Sequence, residues 1–398
     1  MSDLPVAPEP ISELGVYRIL SPQAGIRVSP LCLGAMSIGQ AWEQRGMGAM
    51  DKETAFQLLD EFVRLGGNFI DTANSYQGEE SEKWLGEWMK ERGNRDEIVL
   101  ATKYTAYYKN EEPASKIRVN YGGNGKKSLI LSLEDSLNKL QTNYIDILYV
   151  HWWDYTTSVE ELMQSLDALV KKGKVLYLGA SGIPAWIVSK ANQYARDHGL
   201  AKFVVYQGLW SVMIRDLERE IIPMCISEGM ALCPWGALGS GKFQSKADLE
   251  KRAASGEKLR SIMSTGDQTD AEIKISAGLE KVAKDLGTDC VTAVALAYVL
   301  QKFPYVFPIV GGRKIEHLHA NITALTLLLT SDHIQELESL SEFKRGYPYD
   351  QFGSDVGSGE PSPWHFNMVG KFGFVQHPQA IKPSKHKDHA TSSAPKTQ

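Results

Sequence analysis

The 398-residue sequence predicts an α/β fold, a (β/α)8 TIM barrel, and three observations carry that prediction. Short runs rich in Val, Ile and Leu alternate with amphipathic stretches along most of the chain, which is the pattern of repeated βα units around a parallel sheet. Eight such runs occur, at 31–34, 69–71, 98–101, 145–150, 175–178, 203–206, 230–233 and 306–310. Four polar residues, Asp71, Tyr76, Lys103 and His151, stand at or just after the carboxyl ends of three consecutive runs. Barrels of this kind gather their functional residues at that face.

Taken in order, residues 1–16 are rich in Pro and acidic residues and are expected to form a flexible N-terminus. Residues 17–20 and 26–29, separated by Ser-Pro-Gln-Ala-Gly, read as a β-hairpin that plugs the amino end of the barrel. The first barrel helix should start at Asp51 as N-cap and place Ala55, Leu58, Leu59 and Phe62 on its buried face. Gly66-Gly67 should end it. Pro184 opens the helix after strand five, a position where its missing N–H costs nothing. Two connections, about 104–127 and 236–269, are longer than a barrel needs and lie at the carboxyl face, where long loops usually serve function. The barrel is therefore assigned to 17–341. An irregular extension rich in Gly, Pro and aromatic residues follows at 342–375, and a Lys, His, Ser and Pro tail at 376–398 is expected to be disordered.

Composition narrows the function classes. At 43% hydrophobic and 23% charged, the chain has material for a large core. A formal net charge of −5 gives no overall attraction for nucleic acid or an anionic membrane, so any phosphate recognition must be local. A small-molecule partner is the expectation, with oligomeric state left open. Cys32, Cys225, Cys233 and Cys290 are scattered without CxxC spacing and read as reduced core residues. No stretch has the length of a membrane span and no secretory leader is evident, so a cytoplasmic location is expected.

The four strand-end residues suggest a proton donor for a carbonyl. A phenol with an ordinary pKa of about 10 is a poor acid near neutrality, but a neighbouring ammonium held by a carboxylate favours its ionised form. Tyr76 supplies the phenol, Lys103 the ammonium and Asp71 the carboxylate, while His151 can orient the carbonyl by hydrogen bonding. Singly, each has an ordinary structural explanation, as a cap, a surface loop residue or a satisfied buried histidine. Their combination is far harder to explain that way.

The stretch Asp71-Thr-Ala-Asn-Ser-Tyr76-Gln-Gly78-Glu-Glu-Ser81-Glu82-Lys-Trp-Leu85-Gly86, followed by Lys103 and His151, resembles the signature of the aldo-keto reductase superfamily. The resemblance spans about 17–341, and the wording around Pro184-Ala-Trp186 and Gly236–Phe243 is most similar to the fungal aryl-alcohol dehydrogenase and norsolorinic acid reductase branch. It implies an NADPH-dependent reductase of aldehydes or ketones, reversible as an alcohol dehydrogenase, with Asp71, Tyr76, Lys103 and His151 as its catalytic tetrad. It also implies that Ser181 and Gln207 contact the nicotinamide carboxamide and that Trp235 stacks on the ring. Gly236, Leu238, Ser240 and Lys242 would contact the pyrophosphate, and Arg313, Lys314, His317 and Asn321 the adenosine 2′-phosphate side of NADPH/NADP+. Gly182 departs from the family's Ser-Asn pair, and His317 and Ala320 stand where many members have Arg and Glu.

Trp42, Tyr107 and Trp152, with Tyr108, Trp153, Phe343 and Tyr347, are candidates for an aromatic substrate mouth. Gly236, Gly241 and Lys242 also meet a P-loop spacing, but Phe243 stands where Ser or Thr would hold magnesium. His317-Leu-His319 and His386-Lys-Asp-His389 lack the further ligands of a closed metal site, so no metal is assigned. The alternative function is a nucleotide-binding redox sensor or regulatory subunit, like the potassium-channel β subunits of the same superfamily.

Overall fold

A computed structural model describes residues 6–47, 50–109, 117–254, 268–358 and 364–383. The chain opens with the expected hairpin, β1 (Arg18–Ser21) and β2 (Ala24–Val28), in which Arg18 faces Val28 and Ile19 faces Arg27. Eight parallel strands follow: β3 (Cys32–Gly34), β4 (Phe69–Asp71), β5 (Val99–Tyr104), β6 (Ile145–Val150), β7 (Val175–Ser181), β8 (Phe203–Leu209), β9 (Ala231–Trp235) and β10 (Ile309–Val310). Their order is β10-β3-β4-β5-β6-β7-β8-β9. The two ends of that order meet at Leu232, which donates to the Tyr305 carbonyl and accepts from Phe307 N–H, both at 2.9 Å. The result is a nearly closed (β/α)8 barrel.

Its helices are α1 (Lys52–Arg64), α2 (Glu80–Arg92), α3 (Lys126–Lys139), α4 (Val159–Lys171), α5 (Ala185–His198), α6 (Ile221–Glu228), α7 (Lys246–Ala254), α8 (Asp270–Asp285), α9 (Val291–Lys302), α10 (Ile315–Thr323) and α11 (Ser331–Ser339). Two short turns, α12 (Tyr349–Phe352) and α13 (Phe366–Val369), lie in the C-terminal extension. In α1 the Asp51 carboxylate accepts from Thr54 N–H at 2.7 Å, and Ala55, Leu58, Leu59 and Phe62 are buried as the periodicity requires. Gly66 then turns the chain at φ +99°, with Gly15 Cα 2.5 Å from where a Cβ would stand. Only glycine fits there.

The core has two layers. Side chains between helices and sheet form the outer one. The inner one fills the barrel with Phe69, Val99, Ala101, Ile147, Tyr149, Val205, Cys233 and Phe307. Leu20, Ala24 and Val28 of the hairpin belong to that inner cluster, so the hairpin does close the barrel floor. β5 and β6 are buried along their whole length, which explains why they read as continuous apolar runs apart from their functional residues.

The N-terminus expected to be flexible is docked from Ser12 on, with Leu14 fully buried in the core and the Ser12 hydroxyl donating to the Leu65 carbonyl at 2.7 Å, and two elements of the barrel also differ from the sequence reading. The eighth strand is cut to Ile309–Val310, with residues 305–307 joined to Leu232 through a single bridge; Pro308 has no N–H to give and contributes only its carbonyl, to Cys32 N–H at 3.0 Å. The connection expected at 236–269 contains α7, opened by Ser245, whose hydroxyl accepts from Asp248 N–H at 3.1 Å. In the extension, Phe343 lies beneath the Arg215 and Arg219 guanidiniums, at 4.4 and 5.0 Å. It packs against the β8–α6 connection, which leaves the carboxyl end of β8. Tyr347 is 78% exposed. Of the tail beginning at 376, Gln376 and His377 touch Val356 and Asp355, and residues 384–398, including His386 and His389, lie outside the described residues.

Candidate active site

The ends of β4 and β5 bring Asp71 and Lys103 side by side. The Lys103 ammonium donates to Asp71 Oδ2 at 2.5 Å and to the Thr72 carbonyl at 2.7 Å, and stands 3.4 Å from the Tyr76 hydroxyl. Asp71 Oδ1 accepts from Gln207 Nε2 at 2.9 Å. Lys103 is fully buried and Asp71 nearly so, so removing either partner would strand a charge in the barrel, at about 3–5 kcal/mol. His151, just beyond β6, completes the group: its ring centroid lies 6.0 Å from that of Tyr76.

Electrostatics gives each group a definite protonation state. For Lys103, burial favours loss of the proton, but Asp71 and Tyr76 more than compensate and hold the pKa above its ordinary value. Asp71 is pushed up by burial and pulled back by Lys103 and Gln207, with a net rise. The sequence reading expected Lys103 to bring the Tyr76 pKa down. That contribution is present, but burial outweighs it and the phenol ends above 10. Tyr76 is therefore a protonated donor at neutral pH, and Lys103 reduces what burial adds to the cost of ionising it. Burial and Lys103 depress the His151 pKa to about 3, which leaves a neutral imidazole with a buried Nδ1 that has no partner among the described residues.

Aromatic rings flank this group. Trp42 meets Tyr76 edge-on at 6.1 Å, and Trp152, 42% exposed, tilts over His151 at 4.8 Å. Tyr107 is half-buried, with its hydroxyl on the Lys109 carbonyl and Arg118 5.4 Å from its ring. Tyr108 and Trp153, also candidates for the mouth, are buried, Tyr108 with its hydroxyl on Asp135. Desolvation turned them inward where spacing alone could not show it.

The expected cofactor residues are distributed along the adjoining strand ends. Ser181 and Gln207 face each other in register on β7 and β8. Gly182 has φ +55°, and a Cβ there would lie 3.3 Å from both the His151 carbonyl and Trp152 Cβ. The left-handed backbone and the close neighbours on both sides make this a position where a side chain would be strained. Trp235 ends β9 with 37% of its surface exposed, so its ring is not core. The following turn carries Gly236, Gly239, Ser240 and Gly241 at positive φ.

Some of these residues are engaged differently from the expectation. The amides of Gly239, Gly241, Lys242 and Phe243 bond within the turn itself, to Gly236, Leu238, Gly239 and Leu238. Lys242 is 5% exposed and lies 3.2 Å from Glu272, an ion-pair partner rather than a cation held out toward phosphate. Phe243 is buried and α7 starts only at Lys246, so no P-loop-to-helix junction forms. Arg313, Lys314 and His317 line a cavity of about 640 Å³ between α1 and α10. The sequence reading missed its other walls, Thr54, Gln57 and Glu316. Asn321 is buried on α10, away from that lining, and His319 turns from His317 to meet Glu61 at 2.8 Å. Among the described residues no group of three His, Cys, Asp or Glu could hold a metal ion, and no helix is long and apolar enough to cross a membrane.

An eight-stranded parallel barrel with a buried Asp–Lys pair, a phenol and an imidazole at its carboxyl face defines a class of oxidoreductase, and residues 30–342 match the Aldo/keto reductase family model. The chain belongs to that family. It is similar to the aryl-alcohol dehydrogenase [NADP(+)] of Phanerodontia chrysosporium, 51% identical over 95% of this chain and 98% of that protein. It is also similar to norsolorinic acid reductase B of Dothistroma septosporum, 53% identical over 92% of this chain and 94% of that one. Aldo-keto reductase ausK of Emericella nidulans is 55% identical over 94% of each chain.

Proposed function

We propose that the protein is an NADPH-dependent reductase of aldehydes or ketones, of aryl or polyketide-like type, able to run in reverse as an alcohol dehydrogenase. The observation that carries this is the Tyr76 hydroxyl, 3.4 Å from a fully buried Lys103 that is itself locked to Asp71. Tyr76 is the general acid, protonated at rest and adjacent to a cation that favours the phenolate left after proton transfer. His151, neutral and edge-on to Tyr76, can donate a second hydrogen bond to the same carbonyl oxygen and fix its orientation. Trp42 and Trp152 supply flat apolar walls suited to an aromatic or fused-ring carbonyl.

The residues present fit a dinucleotide. Trp235 is exposed at a strand end, the 236–241 turn is glycine-rich at positive φ, and Arg313 and Lys314 border a roomy cavity at a helix start. When bound, the cofactor supplies the hydride. Trp235, Ser181 and Gln207 would hold its nicotinamide end, Gly236, Leu238 and Ser240 its pyrophosphate, and Arg313, Lys314 and His317 the 2′-phosphate that separates NADPH from NADH. Names of relatives agree in direction: one acts on aryl alcohols with NADP(+), another on norsolorinic acid.

The test is NADPH oxidation with a panel of aromatic aldehydes and fused-ring ketones. Turnover with at least one ring-bearing carbonyl is expected. Tight NADPH retention without turnover across the panel would instead mark a nucleotide-binding sensor.

A further inference from the structure

Gln77, Gly78 and Glu79 follow Tyr76 directly, and all three have positive φ, at 52°, 58° and 78°. Non-glycine residues avoid this region, so such a run persists only where its surroundings fix it. Gln77 fixes one side, donating from Nε2 to the Met36 carbonyl at 2.9 Å and accepting at Oε1 from Trp42 N–H at 2.8 Å. On the other side Glu79 reaches Lys139, the last residue of α3, at 3.0 Å.

The same ammonium lies 2.8 Å from Glu82 and donates to the Asn74 carbonyl at 3.1 Å. Glu82 in turn accepts from the Thr102 hydroxyl at 2.6 Å, and Thr102 precedes Lys103 in β5. Asn74 N–H donates to the Lys103 carbonyl at 3.1 Å. One cation thus grips the chain on both sides of Tyr76 and, through Glu82 and Asn74, the strand that carries Lys103.

Lys139 and Glu79 are 9% exposed and Glu82 is fully buried. Two carboxylates and one ammonium taken out of water are an inefficient way to stabilise a fold. Gly86 makes the burial possible, since a Cβ there would lie 2.2 Å from the Lys139 carbonyl as α2 crosses the end of α3. Among the described residues the ammonium also faces the Tyr108 ring at 4.9 Å, whose hydroxyl donates to Asp135, itself paired with Lys109 at 3.0 Å.

We propose that Lys139 is a positioning residue for the reaction: it clamps the left-handed turn behind Tyr76 to the strand that carries Lys103 and so sets the approach of phenol to ammonium. The proposal rests on Tyr76 being the proton donor. Burial favours a neutral Lys139, but Glu82 and Glu79 hold its pKa above the ordinary value, so the clamp stays charged throughout the assay range.

The experiment compares Lys139→Met, Lys139→Arg and Glu79→Gln in the full chain. Lys139→Met is expected to lower kcat by about 10²-fold, the cost of a misplacement of roughly 1 Å, with NADPH Kd and aldehyde KM unchanged. The limb of the pH profile assigned to Tyr76 should move up, because Lys103 would be held less closely. Lys139→Arg should recover most of kcat, since a guanidinium can hold both carboxylates. If Lys139→Met does not fold, Glu79→Gln, which leaves the Lys139–Glu82 pair, should show the same loss in kcat alone, in smaller measure. A folded Lys139→Met with wild-type kcat and pH profile, or in its absence a Glu79→Gln with both, would overturn the proposal, even if the melting temperature fell. Turnover of Tyr76→Phe separates the two readings. An active Tyr76→Phe removes the function reading, whereas an inactive one beside normal Lys139 variants removes only the clamp.

Discussion

On the β4–β6 side of the barrel mouth the polar groups are already committed to one another, Lys103 to Asp71, Thr72 and Tyr76, and Asp71 to Gln207. On the β9–β10 side the chain offers a glycine turn, an exposed Trp235 and a cavity between α1 and α10. The first region is set by its own hydrogen bonds; the second is where the proposed dinucleotide would lie. Groups held by packed strands keep the geometry that proton transfer needs, while groups on turns can adjust to a long flexible ligand. Substitutions on the two sides should therefore separate rate from affinity.

The largest effect is expected for Lys103→Met. It removes the cation beside the phenol and leaves Asp71 buried without its partner, so kcat should fall by about 10²- to 10⁴-fold and stability by about 3–5 kcal/mol. Steady-state rates and a denaturant titration read the two losses. Wild-type turnover in the folded variant would break the comparison at its rigid side. On the open side, Arg313→Ala should weaken NADPH binding by about 1.5–3 kcal/mol, the worth of a charge-assisted contact, while barely moving NADH. Fluorescence titrations with both dinucleotides check this, and equal losses would take Arg313 off the 2′-phosphate.

A smaller effect concerns pH. The folded protein holds the His151 pKa near 3 against an ordinary 6.5. As pH falls the unfolded chain therefore takes the proton first, and stability present above 6.5 is lost progressively toward 3. At about 1.4 kcal/mol per pH unit, the loss at pH 5 approaches 2 kcal/mol. His151→Asn should lose less stability than the wild type between pH 7 and pH 5. Parallel losses, measured by denaturant titration at both pH values, would show that the imidazole is not held neutral.

The rigid side was also the legible one. Asp71, Lys103 and His151 sit on or directly after strands whose apolar runs fix register, so strand position alone placed them at one face. Tyr76 reached the same point through a motif. On the open side the sequence named the right segments but not how each side chain turns. Lys242 looked like a phosphate cation, yet Glu272, thirty residues on, draws it inward; no local pattern encodes that pairing. Thr54 and Gln57 escaped notice because α1 reads as an ordinary amphipathic helix, and only barrel closure sets it beside α10. The sign of the Tyr76 shift failed for a related reason, since a motif lists neighbours but not the depth of burial that outweighs them.

The central claim, that Tyr76 is the acid of a preorganised site, is tested most directly by single-turnover reduction of an aromatic aldehyde by Tyr76→Phe, with NADPH affinity measured on the same preparation. The ring and its packing remain and only the hydroxyl is lost, so the hydride-transfer rate should drop by about 10²- to 10⁴-fold while NADPH binds as tightly as to the wild type. A Tyr76→Phe protein that retains more than about a tenth of the wild-type single-turnover rate would contradict the account, because removal of a true general acid leaves far less.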